Sequence, residues 1–252
     1  MPRYDIRTPR LFVEEALSAG QALLLDRGQT NYLVNVLRLK EDGEVLVFNG
    51  RDGEWRARLA PASKKTTKLE VTVRTREQTA PGDLHYAFAP LKHARLDYIV
   101  QKAVEMGVSH LRPVITRYTQ SERLNLARVR ANAIEAAEQC GILNIPQVAA
   151  PVALDRFVRD WVPERLLVFC DEDAGVKNPV SALSQIVDSA WVGPSPMTLL
   201  IGPEGGFAEE ERAALLDLAN MVRLSLGPRI LRADTAAVAA LALIQAVLGD
   251  WR

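Results

Sequence analysis

At 252 residues, with 48% hydrophobic and 25% charged content, the chain can bury one large core or two smaller ones. Its formal net charge is zero, which excludes a uniformly basic nucleic-acid binder, and its longest apolar run, residues 236–244, is far too short to span a bilayer. The charge is uneven: residues 1–130 hold 22 Lys and Arg against 15 Asp and Glu, whereas residues 131–252 hold 9 against 16. Such a split points to a polyanion met mainly by the front half, or to an uneven solvated surface. No basic-then-apolar leader is present, and Cys140 and Cys170 lack metal or redox spacing. The expectation is a cytoplasmic protein with two buried free thiols, no membrane segment and no metal.

Residues 1–76 read as a small β-rich domain. Strands are expected at 22–25, 44–48, 54–59 and 68–73, with a hairpin turn at Asn49-Gly50-Arg51-Asp52-Gly53. Between the first two strands, Leu33, Val34, Val36 and Leu37 fall near helical spacing. Arg7, Arg10, Arg38, Lys40, Arg51, Arg56, Arg58, Lys64 and Lys65 supply charge suited to phosphates. Residues 77–83, with Pro81-Gly82, read as a linker.

From 84 to 252 strands and helices alternate, which predicts an α/β domain with a mainly parallel sheet. Strands are expected at 85–89, 110–116, 166–170, 198–201 and 221–225, and helices at 95–106, 124–139, 179–189, 209–219 and 235–248. Gly107 stands at a C-cap position, and the last helix is apolar almost all round except for Gln245. Both faces of that helix need cover, and a second copy of the chain is the economical partner.

Two loops follow strands: Leu200-Ile201-Gly202-Pro203-Glu204-Gly205-Gly206-Phe207, and Leu226-Gly227-Pro228-Arg229-Ile230-Leu231-Arg232-Ala233-Asp234. The first has neither the Gly-Lys-Ser/Thr ending of a nucleoside triphosphate loop nor a dinucleotide fingerprint. Glu209, Glu210 and Glu211 in the helix turn after it repel a phosphate and leave room for a neutral or cationic ligand. The second sets two arginines before a helix N-terminus, with Asp234 or Thr235 expected as its cap. A cation there is unfavourable unless compensated. Either Asp234 or Glu204 pairs with it, or an arginine faces an electron-rich ligand.

These paired motifs, together with residues 91–123, the 134–141 segment, Val36-Leu37-Arg38-Leu39 and residues 47–55, resemble the 16S rRNA (uracil-N3)-methyltransferases, members of the SPOUT class. The resemblance covers nearly the whole chain. It implies an N-terminal PUA-like β-barrel, a C-terminal α/β domain with a trefoil knot, S-adenosylmethionine as methyl donor, 16S rRNA or the small ribosomal subunit as substrate, and a homodimer. By motif, Phe169, Ile201, Gly202, Pro203, Glu204, Gly205, Gly206, Leu226, Gly227, Ile230 and Leu231 would line the cofactor, largely through backbone groups. Two departures stand out: Ala208 replaces a capping Ser or Thr, and Ile142 replaces an Arg after Gln139-Cys140-Gly141.

The implied reaction moves a methyl group to uridine N3, a nitrogen that carries a proton at neutral pH. An arginine beside the base would stabilise the developing anion. Arg232 is the first candidate and Arg229 the second, with Glu204 positioning; no residue stands out as a general base. N3 lies on the pairing edge, so the base must be unpaired or flipped. Arg10, Arg38, Lys92, Arg95 and Arg117 are expected to meet RNA. The competing readings are a SPOUT enzyme acting on another base or a ribose 2′-hydroxyl, a nucleotide hydrolase, and a non-enzymatic RNA-binding protein.

Overall fold

The structure, a computed structural model, describes residues 7–61, 67–121, 123–175, 178–188 and 196–251. Lys64 and Lys65 lie outside them. Two compact units emerge, one of residues 1–80 with 137–145, the other of 81–136 with 146–252. The sequence places 137–145 in the second unit; here it groups with the first, because Arg10, Arg76 and Gln78 bind its backbone and side chains.

The first unit contains β1 (Arg10–Phe12), β2 (Ala22–Leu24), α1 (Arg27–Thr30), β3 (Glu44–Phe48), β4 (Glu54–Pro61) and β5 (Thr67–Arg76). Sheet order is β1-β3-β4-β5-β2, antiparallel except for the β1–β3 pair. Leu11 and Leu23, from the two end strands, belong to one buried cluster with Val45, Val47, Ala57, Leu59, Leu69 and Val71. The sheet therefore curls around a single interior. The hairpin forms as expected: Phe48 faces Glu54, Gly50 and Gly53 take positive φ, and Asn49 Oδ1 accepts from the backbone of Arg51 and Asp52. Asp26 caps α1 by a reciprocal exchange with Gln29, and the chain continues as a wider π-turn, Asn31–Val36, which buries Leu33.

The second unit is a seven-stranded, wholly parallel sheet. Its strands are β6 (Leu84–Phe88), β7 (His110–Ile115), β8 (Gln147–Val148), β9 (Val152–Ala153), β10 (Leu166–Cys170), β11 (Met197–Ile201) and β12 (Met221–Leu224). The order is β12-β10-β11-β6-β7-β8, with β9 also on β7. Helices α2 (His93–Glu105), α3 (Leu126–Cys140), α4 (Leu154–Arg159), α5 (Pro179–Asp188), α6 (Glu209–Leu216) and α7 (Ala233–Val247) alternate with the strands. β8, β9 and α4 are too short to show a period in sequence.

α2 ends in a Schellman turn: Val108 N–H donates to Ala103 O and Gly107 N–H to Val104 O, with Gly107 at φ 77°. α7 packs on α2, α5 and β11 and buries Ala237, Ala240, Leu241 and Ile244. Its one interior polar residue, Gln245, is buried and donates to Met106 O at 2.6 Å while accepting from Asp250 N–H at 3.1 Å. Val238, Ala239, Ala242 and Leu243 are only half-buried, so one apolar face of α7 lacks complete cover among the described residues. Both thiols are expected to be buried; Cys140, the last residue of α3, is exposed instead. Cys170 is half-buried, and burial raises its thiol pKa.

Candidate active site

Because every strand of the second sheet runs the same way, the segments after β6, β7, β10, β11 and β12 gather at one edge. Residues 202–208 and 225–232 both leave from that edge. So do 89–92 and 116–121.

The glycines of the first loop serve different ends. Gly206 takes φ 72°, which a side chain would strain, and an added Cβ there would meet nothing within 4 Å. Gly202 and Gly205 have no positive φ. A methyl at Gly202 would stand 2.5 Å from the Phe207 ring, which folds back over it; a methyl at Gly205 would stand 3.2 Å from Tyr118 Cβ. Phe207 in turn meets Phe169 edge-on, centroids 5.3 Å apart. Phe169, Ile201 and Pro203 are buried.

The second loop is open. Gly227 has φ 97° with free space beside it, and Ile230 is 94% exposed, while Leu226 and Leu231 are half-buried. α7 begins at Ala233, two or three residues earlier than Asp234 or Thr235 as cap implies: Arg232 is the extended N-cap residue and contributes no side-chain cap. The Asp234 carboxylate accepts from Thr235 N–H at 2.9 Å. Glu204 pairs with Arg95 at 3.1 Å. Among the described residues, then, neither Arg229 nor Arg232 has a carboxylate partner, and both are exposed next to a helix N-terminus.

Glu211 was not singled out as a site residue in sequence. Its Oε2 accepts from Ala208 N–H at 2.9 Å, half of a capping box despite the missing hydroxyl, and its Oε1 accepts from Arg117 N–H at 2.8 Å. One carboxylate thus ties the loop after β7 to the loop after β11. Asp171, following β10, is another unforeseen junction. It is buried, and receives Arg212 Nη2 at 3.0 Å and Arg223 Nε at 2.8 Å. Burial pushes its carboxyl up, but hydrogen bonds from Arg212, Asp173 N–H and Arg223 outweigh that and hold it below the ordinary range.

Of the arginines and lysine expected to meet RNA, Arg38, Lys92 and Arg117 are exposed. Arg38 holds φ 54° at the end of the π-turn. Arg117 lies 3.8 Å from Glu210, a loose contact, and Arg95 is engaged with Glu204. Arg10 must be withdrawn from the set. It is 9% exposed, bonds Glu54 at 2.9 Å, lies over the Phe48 ring at 4.3 Å, and donates to the carbonyls of Ala137, Glu138 and Ile142. Its donors are committed to the interior of the first unit, where they serve the C-terminal end of a helix.

The opposite, N-terminal edge of the sheet carries a closed cluster. Asp83 accepts from Arg165 at 2.7 Å and lies 3.1 Å from His85 Nε2; His85 and His110 stack with centroids 4.0 Å apart. Burial, then the charge of Arg165, pushes His85 down to about 3, so it is neutral at ordinary pH.

A family profile described as an RNA methyltransferase domain matches residues 78–245, and one described as an RNA methyltransferase PUA domain matches 25–72. Ribosomal RNA small subunit methyltransferase E of Synechocystis is 32% identical over 95% of this chain and 78% of its own. The chain belongs to the ribosomal RNA small subunit methyltransferase E family. The member from Rickettsia conorii is 27% identical over 94% of both chains. Among solved family structures, the Neisseria gonorrhoeae enzyme bound to S-adenosyl methionine superposes with a TM-score of 0.84 at 27% identity, covering 98% of this chain and 100% of that one. A Legionella pneumophila structure with bound SAM gives 0.82 at 30% identity, covering 97% and 99%. The fold is accordingly that of a SPOUT methyltransferase with an N-terminal PUA-like domain.

Proposed function

We propose that this chain methylates N3 of a uridine in 16S rRNA of the small ribosomal subunit, with S-adenosylmethionine as donor. The observation that carries the reading is the juxtaposition at one sheet edge of open glycine backbone at Gly206 and Gly227, the bare side chain of Ile230, and two arginines without carboxylate partners among the described residues. These residues fit the cofactor. Exposed Ile230 with half-buried Leu226 and Leu231 offers an apolar wall for an adenine, and Glu209, Glu210 and Glu211 at the start of α6 disfavour phosphate but not a sulfonium. When bound, the cofactor supplies an electrophilic methyl group.

The protein's part is positioning and charge. Gly202 and Gly205, kept bare by Phe207 and Tyr118, hold the first loop in shape; Arg95 fixes Glu204. Arg232 is the cation that would meet an anion forming on a uracil, with Arg229, three residues earlier, as second choice. The preformed N–H dipoles of the α7 terminus favour the same charge. No side chain is assigned as the base that receives the N3 proton. Arg38 on the PUA-like unit and Lys92 and Arg117 on the catalytic unit serve the RNA backbone.

Three finer features belong to the same reading. The chain threads a trefoil knot near the two loops, as in its class. It works as a homodimer that covers Val238, Ala239, Ala242 and Leu243 of α7. It acts in the cytoplasm; no helix among the described residues is long and apolar enough to cross a membrane. The test is incubation of small subunits from a strain lacking this gene with the protein and labelled cofactor, followed by nucleoside mass spectrometry. N3-methyluridine is expected, and a label on ribose or on another base overturns the assignment.

A further inference from the structure

Tyr118 has no role in the reading so far, yet the fold takes trouble to place it. Residues 116–119 form a closed turn: Thr119 N–H donates to Thr116 O at 3.1 Å, and Thr116 N–H donates to Thr119 Oγ1 at 2.8 Å. Arg117 and Tyr118 are its two central residues. The turn is held from outside as well, since Glu211 accepts from Arg117 N–H while its other oxygen holds Ala208 at the end of the first loop. Tyr118 rests against Gly205, where an added Cβ would stand 3.2 Å from Tyr118 Cβ, and no positive φ calls for glycine there.

An aromatic ring anchored this firmly is ordinarily a core residue. Tyr118 is instead 45% exposed, next to Arg117, whose side chain is 65% exposed, and on the edge that also bears Lys92. A rigid exposed ring interleaved with cations is the pattern that accepts single-stranded nucleic acid, by stacking on bases and pairing with phosphates. Because the turn is already ordered, little conformational freedom is lost when a base settles on it.

We propose that Tyr118 is a stacking platform for an RNA base at the methyl-transfer site, braced by Gly205 and by the Glu211 bridge. The inference rests on the rRNA methyltransferase reading. A base extruded toward Arg232 leaves its stack, and Tyr118 replaces the lost neighbour for it or for the adjoining nucleotide.

The experiment measures methyl transfer to unmodified small ribosomal subunits by the full-length protein and its Tyr118→Ala, Tyr118→Leu, Tyr118→Phe and Tyr118→Trp variants. Cofactor affinity by calorimetry and association state by sedimentation are taken on each. Expected is a fall in kcat/KM for the subunits of about tenfold or more in the Ala and Leu variants. The Phe and Trp variants should stay within about threefold of the parent, as stacking tolerates ring type. Cofactor affinity and association state should not change. Leu keeps the packing against Gly205 without a π-face, so normal activity in Tyr118→Leu makes the ring a mere wedge and overturns the proposal. A parallel loss of cofactor binding, or of self-association, overturns it in favour of a cofactor wall or a subunit contact. If the parent protein itself transfers no methyl to the subunits, the functional reading has failed; if the parent is active and every variant equals it, only the platform has.

Discussion

At the N-terminal edge of the parallel sheet, Asp83, His85, His110 and Arg165 close on one another; at the C-terminal edge Arg229 and Arg232 stand exposed among bare glycine backbone and an uncovered isoleucine. The same seven strands carry both ends, so the difference is not one of scaffold. One edge spends its charges on itself and gains structure. The other leaves two arginines, Arg229 and Arg232, without a carboxylate among the described residues, an arrangement that costs stability and is retained where a ligand supplies the missing partner.

The strongest way to break this contrast is Arg232→Ala. Methyl transfer should fall on the order of 10²–10³-fold, by analogy with loss of one donor to a developing anion, while calorimetric cofactor affinity stays within a few-fold. Normal turnover would return Arg232 to the solvated surface. Next comes Gly202→Ala, which drives a methyl into the Phe207 ring; about 1–3 kcal/mol of stability should be lost in urea unfolding, together with cofactor affinity. Unchanged binding would mean that Phe207 moves aside without disturbing the loop.

The closed edge can be tested by pH. His85 is held at about 3 in the fold against an ordinary value of 6.5, so below pH 6.5 the unfolded chain takes up a proton that the folded chain refuses. His85 therefore leaves stability intact above pH 6.5 and removes it progressively as pH falls toward about 3. His110, lowered first by its own burial, acts in the same sense. Urea midpoints should drop less between pH 7 and 5 in His85→Asn than in the parent protein. Equal drops would show that the cluster opens to water. The smallest effect concerns RNA: neutralising Arg38, Lys92, Arg95 and Arg117 should reduce the log–log salt slope of RNA binding by roughly 0.7–0.9 for each true phosphate contact. Arg10→Met should leave that slope alone.

The glycine-rich loops and the alternating strands were legible because they are local: a bend needs glycine, and a buried strand needs a run of apolar residues. The reason for two of those glycines was not. Gly205 answers to Tyr118, 87 positions earlier in the chain, and no periodicity in 200–207 could show it. Arg10 and Arg232 make the same point. In sequence each is an arginine near apolar residues, but Arg10 finds Glu54, two carbonyls of α3 and one just past its end across long separations, whereas Arg232 finds no carboxylate among the described residues. Pairing of this kind is a property of the tertiary fold. For the same reason Glu211, which joins two loops, and Asp171, which joins α6 to β12, read in sequence as ordinary acidic residues.

Gln245 has a mechanical meaning. An almost uniformly apolar helix has little to stop it from sliding along its own axis, since neighbouring registers bury similar area. The bond from Gln245 to Met106 O, seated against Gly107 and Gly249, works as a detent. At 1.5 Å per residue it sits roughly 20 Å along α7 from Arg232. A single amide near the C-terminal end of the helix thereby fixes the register of its N-cap residue, Arg232, as well.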